Sequence, residues 1–181
     1  MIIHIFGASG SGVTTLGNYI SKKLGWKYLD SDDFFWEKTD TPYTVKRDPK
    51  SRDAEILKLL KSGESIIFGG SCISWSPEIH SCFDKIVFLF VPPKSRMLRV
   101  KKREAERYGE KLFTDPEIQR MHDDFIAFCK DYDEMKGIAN RTIKAHRKWL
   151  ENQAVEIIEI SGDFPTIEII EKLLSKWQLL H

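Results

Sequence analysis

The 181-residue chain has only three cysteines, Cys72, Cys82 and Cys129, and no Cys-x-x-Cys spacing among them. An odd, scattered set frames neither a zinc site nor a disulfide scaffold. It points to free thiols in a reducing compartment, so the expected location is cytoplasmic. Net charge is also scarce: 28 Lys and Arg stand against 27 Asp and Glu, a formal +1 at pH 7. That near balance removes the general electrostatic case for nucleic acid or an anionic membrane as partner, so any anion site has to be local. No apolar run approaches the ~20 residues that a membrane-spanning helix needs. The first residues lack the basic segment and cleavage pattern of a signal peptide. With no internal repeat, low-complexity tract or linker, residues 1–181 read as a single domain.

What is present is an alternation of two periods. Apolar runs at 2–6, 26–29, 65–68, 85–91 and 155–160 read as strands. Between them run helical patterns. Leu16, Tyr19, Ile20 and Leu24 form one stripe, stopped by Gly25. Asp48-Pro49 starts a second helix with Ile56, Leu57 and Leu60 on its apolar face. Residues 94–107 make a basic helix. Asp115-Pro116 opens the stripe Ile118, Met121, Phe125, Phe128, Tyr132 and Met135. A further helix carries Ala139, Ile143, His146 and Leu150, and a closing helix runs from Thr166 to about Leu179. Strands alternating with helices imply an α/β fold, a five-stranded parallel sheet with helices on both faces. Ligands in such sheets bind at the carboxyl ends of the strands.

The most specific stretch is Gly7-Ala8-Ser9-Gly10-Ser11-Gly12-Val13-Thr14-Thr15. It follows the first strand, opens a helix, and fits the phosphate-loop template G-x-x-x-x-G-K-[ST] at Gly7, Gly12 and Thr14. Val13 stands where the template has lysine. The glycines let backbone N–H groups converge on a phosphate, and the helix N-terminus adds partial positive charge. Thr14 suits Mg²⁺ as the Ser/Thr of such loops does. The plain alternative is a strand–turn–helix built from small residues. Valine cannot donate to phosphates, so positive charge has to come from elsewhere.

Asp30, Asp32 and Asp33 close the second strand. Carboxylates there can hold Mg²⁺ or take a proton from a substrate hydroxyl; an acidic turn capping a helix is the ordinary reading. Spacing alone does not say which acid does what. Arg103 and Arg107, four apart, share a helix face before Tyr108-Gly109. They read either as a clamp on transferring phosphates or as solvated charge paired with Glu104 and Glu106. Lys46, Arg47 and Arg52 are candidates for an anionic acceptor or for plain surface charge. Gly69 and Gly70 permit close backbone approach to a substrate, or simply end a strand. Phe34, Phe35, Trp36, Tyr43 and Trp75 read mostly as core, with one or two left to line a pocket. His146 reads as a packed, hydrogen-bonded histidine, while Arg141 and Arg147 near it are the better phosphate contacts.

In these features the whole chain resembles the small P-loop kinases of the nucleoside-monophosphate kinase group, which includes adenylate, cytidylate, shikimate and gluconate kinases. The likeness rests on Gly7 to Gly12, on Leu29-Asp30-Ser31-Asp32, on Gly69-Gly70 and on Arg103 to Gly109. Within the group it is similar to an adenylate-kinase-like subfamily whose loop lacks the lysine. The resemblance implies ATP and Mg²⁺ as cofactors, bound by Gly7, Ser9, Gly10, Ser11, Gly12, Val13, Thr14 and Thr15, with Gly162 beside the adenine. It implies metal contacts from Thr14 and Asp30 and an acceptor-binding Asp32, with Gly69 and Gly70 beside it; Asp33, Lys46, Arg47, Arg52 and Arg141 are the further acceptor candidates that the residues themselves offer. It implies an acceptor region at about 31–62 and a helical lid at about 101–150, with Asp32, Arg103 and Arg107 as catalytic groups. The expected activity is phosphoryl transfer to a nucleoside, nucleotide or polar metabolite by a monomer or homodimer. An ATP-binding sensor without transfer is the alternative that Val13 favours.

Overall fold

A computed structural model describes residues 1–163 and 167–179. The strands are β1 (Ile2–Gly7), β2 (Lys27–Asp30), β3 (Ile66–Gly69), β4 (Lys85–Phe90) and β5 (Glu156–Ser161). They form one five-stranded sheet in the order β2-β3-β1-β4-β5. Every pairing is parallel, as the strand–helix alternation requires. The helices are α1 (Val13–Leu24), α2 (Ser31–Phe35), α3 (Pro49–Leu60), α4 (Pro77–His80), α5 (Pro93–Tyr108), α6 (Lys111–Thr114), α7 (Pro116–Glu134), α8 (Ile143–Leu150) and α9 (Ile167–Lys176).

β1 shows why the sheet is covered twice. Ile3 and Ile5 point to one face, where they pack with Leu16, Ile20, Leu173 and Leu174. Ile2 and Phe6 point to the other and join Ile56, Phe88, Trp149 and Leu150. Burying each such side chain contributes about 1.5–3 kcal/mol. A strand buried on both faces must be apolar throughout, and this is the pattern read in the sequence. His4 is the exception on β1. It is fully buried, stacked on Phe6 and Phe83, with Nδ1 3.1 Å from the Phe68 carbonyl.

Three short helices, α2, α4 and α6, carry too few residues for a hydrophobic period and were not anticipated. The helix expected to include Ala139 starts later, at Ile143, with the Thr142 hydroxyl accepting from the Ala145 N–H. Asp131 is the physical reason. It is 1% exposed, and its carboxylate accepts from the backbone N–H groups of Lys136, Ile138 and Ala139. Those bonds hold its pKa below the ordinary carboxylate value, the Ala139 N–H contributing most. Arg141 follows this captured turn and lies over the Phe35 ring of α2. The expected start of the closing helix at Thr166 lies outside the described residues; its described part begins at Ile167.

Register decides where chemistry collects. Asp30 lies level with Gly69, and Gly69 level with Ile5, two residues before Gly7. The acids after β2, the glycines after β3 and the loop after β1 therefore share one edge.

Candidate active site

The loop after β1 has the backbone of an anion cradle. Gly10 and Gly12 take φ values of 81° and 93°, a region costly for other residues. A side chain on Gly10 would strike the Arg96 carbonyl of α5. Gly12 caps α1 without a side-chain hydrogen bond, so the helix's first N–H groups face the concavity. Ser11 is 1% exposed, and its hydroxyl has no partner among the described residues. That hydroxyl lies against Gly7, where any side chain would strike it. Thr14 and Thr15 lie exposed at the mouth, while Val13 packs partly against the sheet.

Cations reach this loop from α5. Arg96, 1% exposed, donates to the Ser9 carbonyl at 3.0 Å, pairs with Asp133 and lies over the Tyr132 ring at 5.0 Å. Arg99 donates to the Gly10 carbonyl at 3.3 Å and to the Asp163 carbonyl, beside Gly162. Gly162 is held by its N–H on the Phe90 carbonyl, at φ 129°. Arg96 and Arg99 were not singled out from the sequence. A signal existed: Arg96, Arg99, Arg103 and Arg107 recur at steps of three, four and four, one face of a helix.

The acids sit partly on β2 and partly on α2. Asp30 ends the strand and caps the helix: its Oδ1 accepts from the Asp32 N–H at 3.1 Å, so the capping role and the site role coincide. Its Oδ2 accepts from Thr14 Oγ1 at 3.2 Å and from the Tyr28 hydroxyl at 2.8 Å. A threonine hydroxyl beside a carboxylate is the hard-oxygen donor set that Mg²⁺ takes. Among the described residues no cluster of three or more His, Cys, Asp or Glu side chains forms a metal cage.

Asp32 and Asp33 lie in the first turn of α2. Asp32 retains solvent access, yet neighbouring atoms crowd its carboxyl. Burial, together with repulsion from Asp30, raises its pKa, and Arg141 and Arg103 offset part of the rise. Arg103 and Arg141 are thus both close enough to Asp32 to act on its charge, although they are far apart in sequence. Asp33 is raised by burial and Asp30, opposed by Lys38.

Around Asp32 the other expected acceptor residues sort themselves. Arg141 lies over the Phe35 ring at 5.1 Å, and burial lowers its pKa against the opposing charge of Asp32. Arg52 is 6% exposed, held by Asp53 at 2.6 Å and stacked on Trp75 at 4.3 Å. Lys46 lies 5.8 Å from the Phe35 centroid. Arg47 instead pairs with Glu55 at 2.6 Å and Glu37 at 3.9 Å, fastening the 36–47 excursion. Gly69 and Gly70 have packing reasons of their own, since side chains there would strike the Tyr28 hydroxyl and the Ser31 hydroxyl. Arg147 pairs with Glu159 and faces Phe88 and Phe90.

At the end of α5, Arg107 donates to Glu104 at 3.2 Å and lies over Tyr43 at 4.9 Å. Glu104 is 2% exposed, with Arg103 at 4.0 Å and His122 at 3.9 Å. α7 packs on this helix through Val100, Ile126 and Cys129. His146 is buried as expected. Its Nδ1 lies 3.0 Å from the Tyr132 hydroxyl and its Nε2 3.0 Å from Ser71 Oγ, and burial lowers its pKa to about 3.

The chain is 31% identical over 172 residues to the Bacillus subtilis (strain 168) protein named "Uncharacterized protein YqaC", covering 95% of this chain and 94% of that one. In three dimensions it is similar to a shikimate kinase from Bacteroides thetaiotaomicron, with TM-score 0.56, 18% identity and 98% of each chain covered. A deoxyadenosine kinase from M. mycoides gives TM-score 0.55 and 17% identity over 98% of this chain and 100% of the other. At those identities the two structures speak for the fold alone. The model of the family described as shikimate kinase matches residues 9–161, from the phosphate loop to the end of β5. The chain belongs to the shikimate kinase family of P-loop small-molecule kinases.

Proposed function

We propose that this chain transfers the γ-phosphoryl group of ATP to a hydroxyl of a small, polar, negatively charged acceptor. One observation carries the reading: Asp30 joins the phosphate-loop hydroxyl of Thr14 to the backbone of the acceptor-side acid, Asp32. Donor and acceptor ends are thereby set in one frame, as in-line transfer requires. The loop N–H groups and Ser11 hold the triphosphate, and Gly162 lies beside the base. Thr14 and Asp30 hold Mg²⁺, which when bound neutralises charge on the phosphates. Asp32, whose pKa is raised by burial and by Asp30, orients and deprotonates the acceptor hydroxyl.

The acceptor's negative charge follows from what surrounds Asp32. Arg141 and Arg103 both act on this acid, and Arg141 lies over the Phe35 ring. Phe35 is approached by Arg141 and Lys46, so its π-face is less open to a nucleobase. A polar metabolite bearing a carboxylate or phosphate suits this recess better than a neutral nucleoside. Arg103 and Arg107 supply charge over the transferring group in place of the lysine absent at Val13. That same absence favours the second reading, an ATP-binding sensor without transfer.

The test is ADP release from Mg²⁺-ATP with hydroxy-carboxylates, sugar phosphates, nucleosides and nucleoside monophosphates. Acceptor-dependent release, strongest with an anionic acceptor and reduced about 100-fold or more by Asp32→Asn, supports the kinase. Tight ATP binding with no turnover across the panel assigns the sensor.

A further inference from the structure

We infer that Tyr28 is a positioning residue for the metal-side carboxylate, its hydroxyl holding Asp30 turned toward Thr14. The inference rests on the proposed reading of Thr14 and Asp30 as the Mg²⁺ side of a nucleotide site.

The Tyr28 hydroxyl donates to Asp30 Oδ2 at 2.8 Å, and the Thr14 hydroxyl reaches the same oxygen at 3.2 Å. The other oxygen, Oδ1, takes the Asp32 N–H at 3.1 Å. Three donors from three elements thus define one carboxylate orientation. They are not equivalent. Thr14 turns about a single bond, and its oxygen faces any cation that enters the loop mouth. The Asp32 N–H serves the α2 cap. Tyr28 presents its donor on a ring with no freedom to swing away.

That rigidity has a visible origin. The ring is wedged between α1 and the end of β3. A Cβ on Gly17 would collide with the ring edge, and a Cβ on Gly69 would collide with the hydroxyl. Both glycines lie in regular structure at ordinary φ, so neither is required there by backbone conformation. Gly in a helix interior costs about 1 kcal/mol relative to Ala. The slot that Gly17 and Gly69 leave is the compensation, and it seats this ring. Packing alone would be met by phenylalanine. What tyrosine adds is one hydroxyl, and it falls at hydrogen-bond distance from the carboxylate proposed to face the metal.

The experiment uses the full chain, Mn²⁺ as a paramagnetic probe and a non-hydrolysable ATP analogue. Metal affinity is read by electron paramagnetic resonance, and metal-free nucleotide affinity by calorimetry in EDTA. Tyr28→Phe keeps the ring in its slot. It is expected to keep the fold, with only a small fall in thermal midpoint, and to leave the metal-free nucleotide affinity unchanged while weakening Mn²⁺ binding roughly 10-fold or more, the usual cost of losing a partner behind a metal ligand. Asp30→Asn combined with Tyr28→Phe should bind Mn²⁺ no more weakly than Asp30→Asn alone, because Tyr28 acts only through Asp30. Mn²⁺ binding by Tyr28→Phe equal to wild type, or full additivity in the pair, overturns the inference and leaves the kinase reading standing. Wild-type protein that binds no nucleotide overturns both.

Discussion

Arg96 on α5 donates to the carbonyl of Ser9 in the phosphate loop, a bond of 3.0 Å between residues 87 positions apart. The arginine is 1% exposed and balanced by Asp133. The loop's shape is therefore held from outside, by a helix that begins after β4. Removing a buried cation leaves its carboxylate partner uncompensated, typically at a cost of about 3 kcal/mol. Arg96→Met should lower unfolding free energy by that order in urea titration. Arg96→Met with Asp133→Asn should lose less, since no charge is then stranded.

Val13 can be tested by restoring the template. Its side chain packs only partly against the sheet, so a longer chain can leave along the loop surface. Val13→Lys should raise turnover with Mg²⁺-ATP about 10-fold, equivalent to about 1.4 kcal/mol of transition-state stabilisation. Steady-state ADP release checks it. Unchanged or reduced turnover would mean that the cations from α5 already complete the site.

Arg103 and Arg107 should separate kinetically. Arg103 acts on Asp32, whereas Arg107 is engaged by Glu104 and Tyr43. Arg103→Ala should reduce kcat about 100-fold with little change in nucleotide affinity, as for loss of one transition-state donor. Arg107→Ala should give a smaller loss of kcat and a larger rise in acceptor KM. Equal, purely KM-type effects in both would remove them from the transfer step.

His4 and His146 set an acid limit on stability. Burial lowers each pKa from 6.5 to about 3, so the folded state keeps both neutral where the unfolded chain protonates them. Between those values the unfolded state binds more protons, and stability falls as pH falls. Two such groups give a slope of at most about 2.7 kcal/mol per pH unit in mid-window. Thermal midpoints should decline from about pH 6.5 downward, and His146→Gln should flatten the decline. A midpoint constant from pH 7 to 4 would contradict this.

How much of this was legible follows from the range of each signal. The strand Ile2–Gly7, the loop and the start of α1 lie within about twenty consecutive residues, so spacing alone exposed them. The same holds for Asp30 and Asp32, and for the Asp48-Pro49 start of α3. The short helices α2, α4 and α6 complete too little of a period to register. Ala139 was assigned to a helix because its spacing fits one. Its N–H is instead taken by Asp131, eight residues earlier. For Arg47 the sequence leaves an acceptor contact and plain surface charge open, because Glu37 and Glu55 come beside it only in the fold.

By itself the sequence determined a doubly covered parallel sheet, because period-2 and period-3.6 apolar patterns are local and leave few other ways to bury both. It also determined a phosphate loop without its lysine. Only the tertiary structure decided how that loop is held and what faces the acids. Arg96 and Arg99 act through contacts made after the strands are in register, and hydrogen bonds and charges fall off over a few ångströms. Nothing in their own neighbourhoods along the chain records which groups will come within that distance.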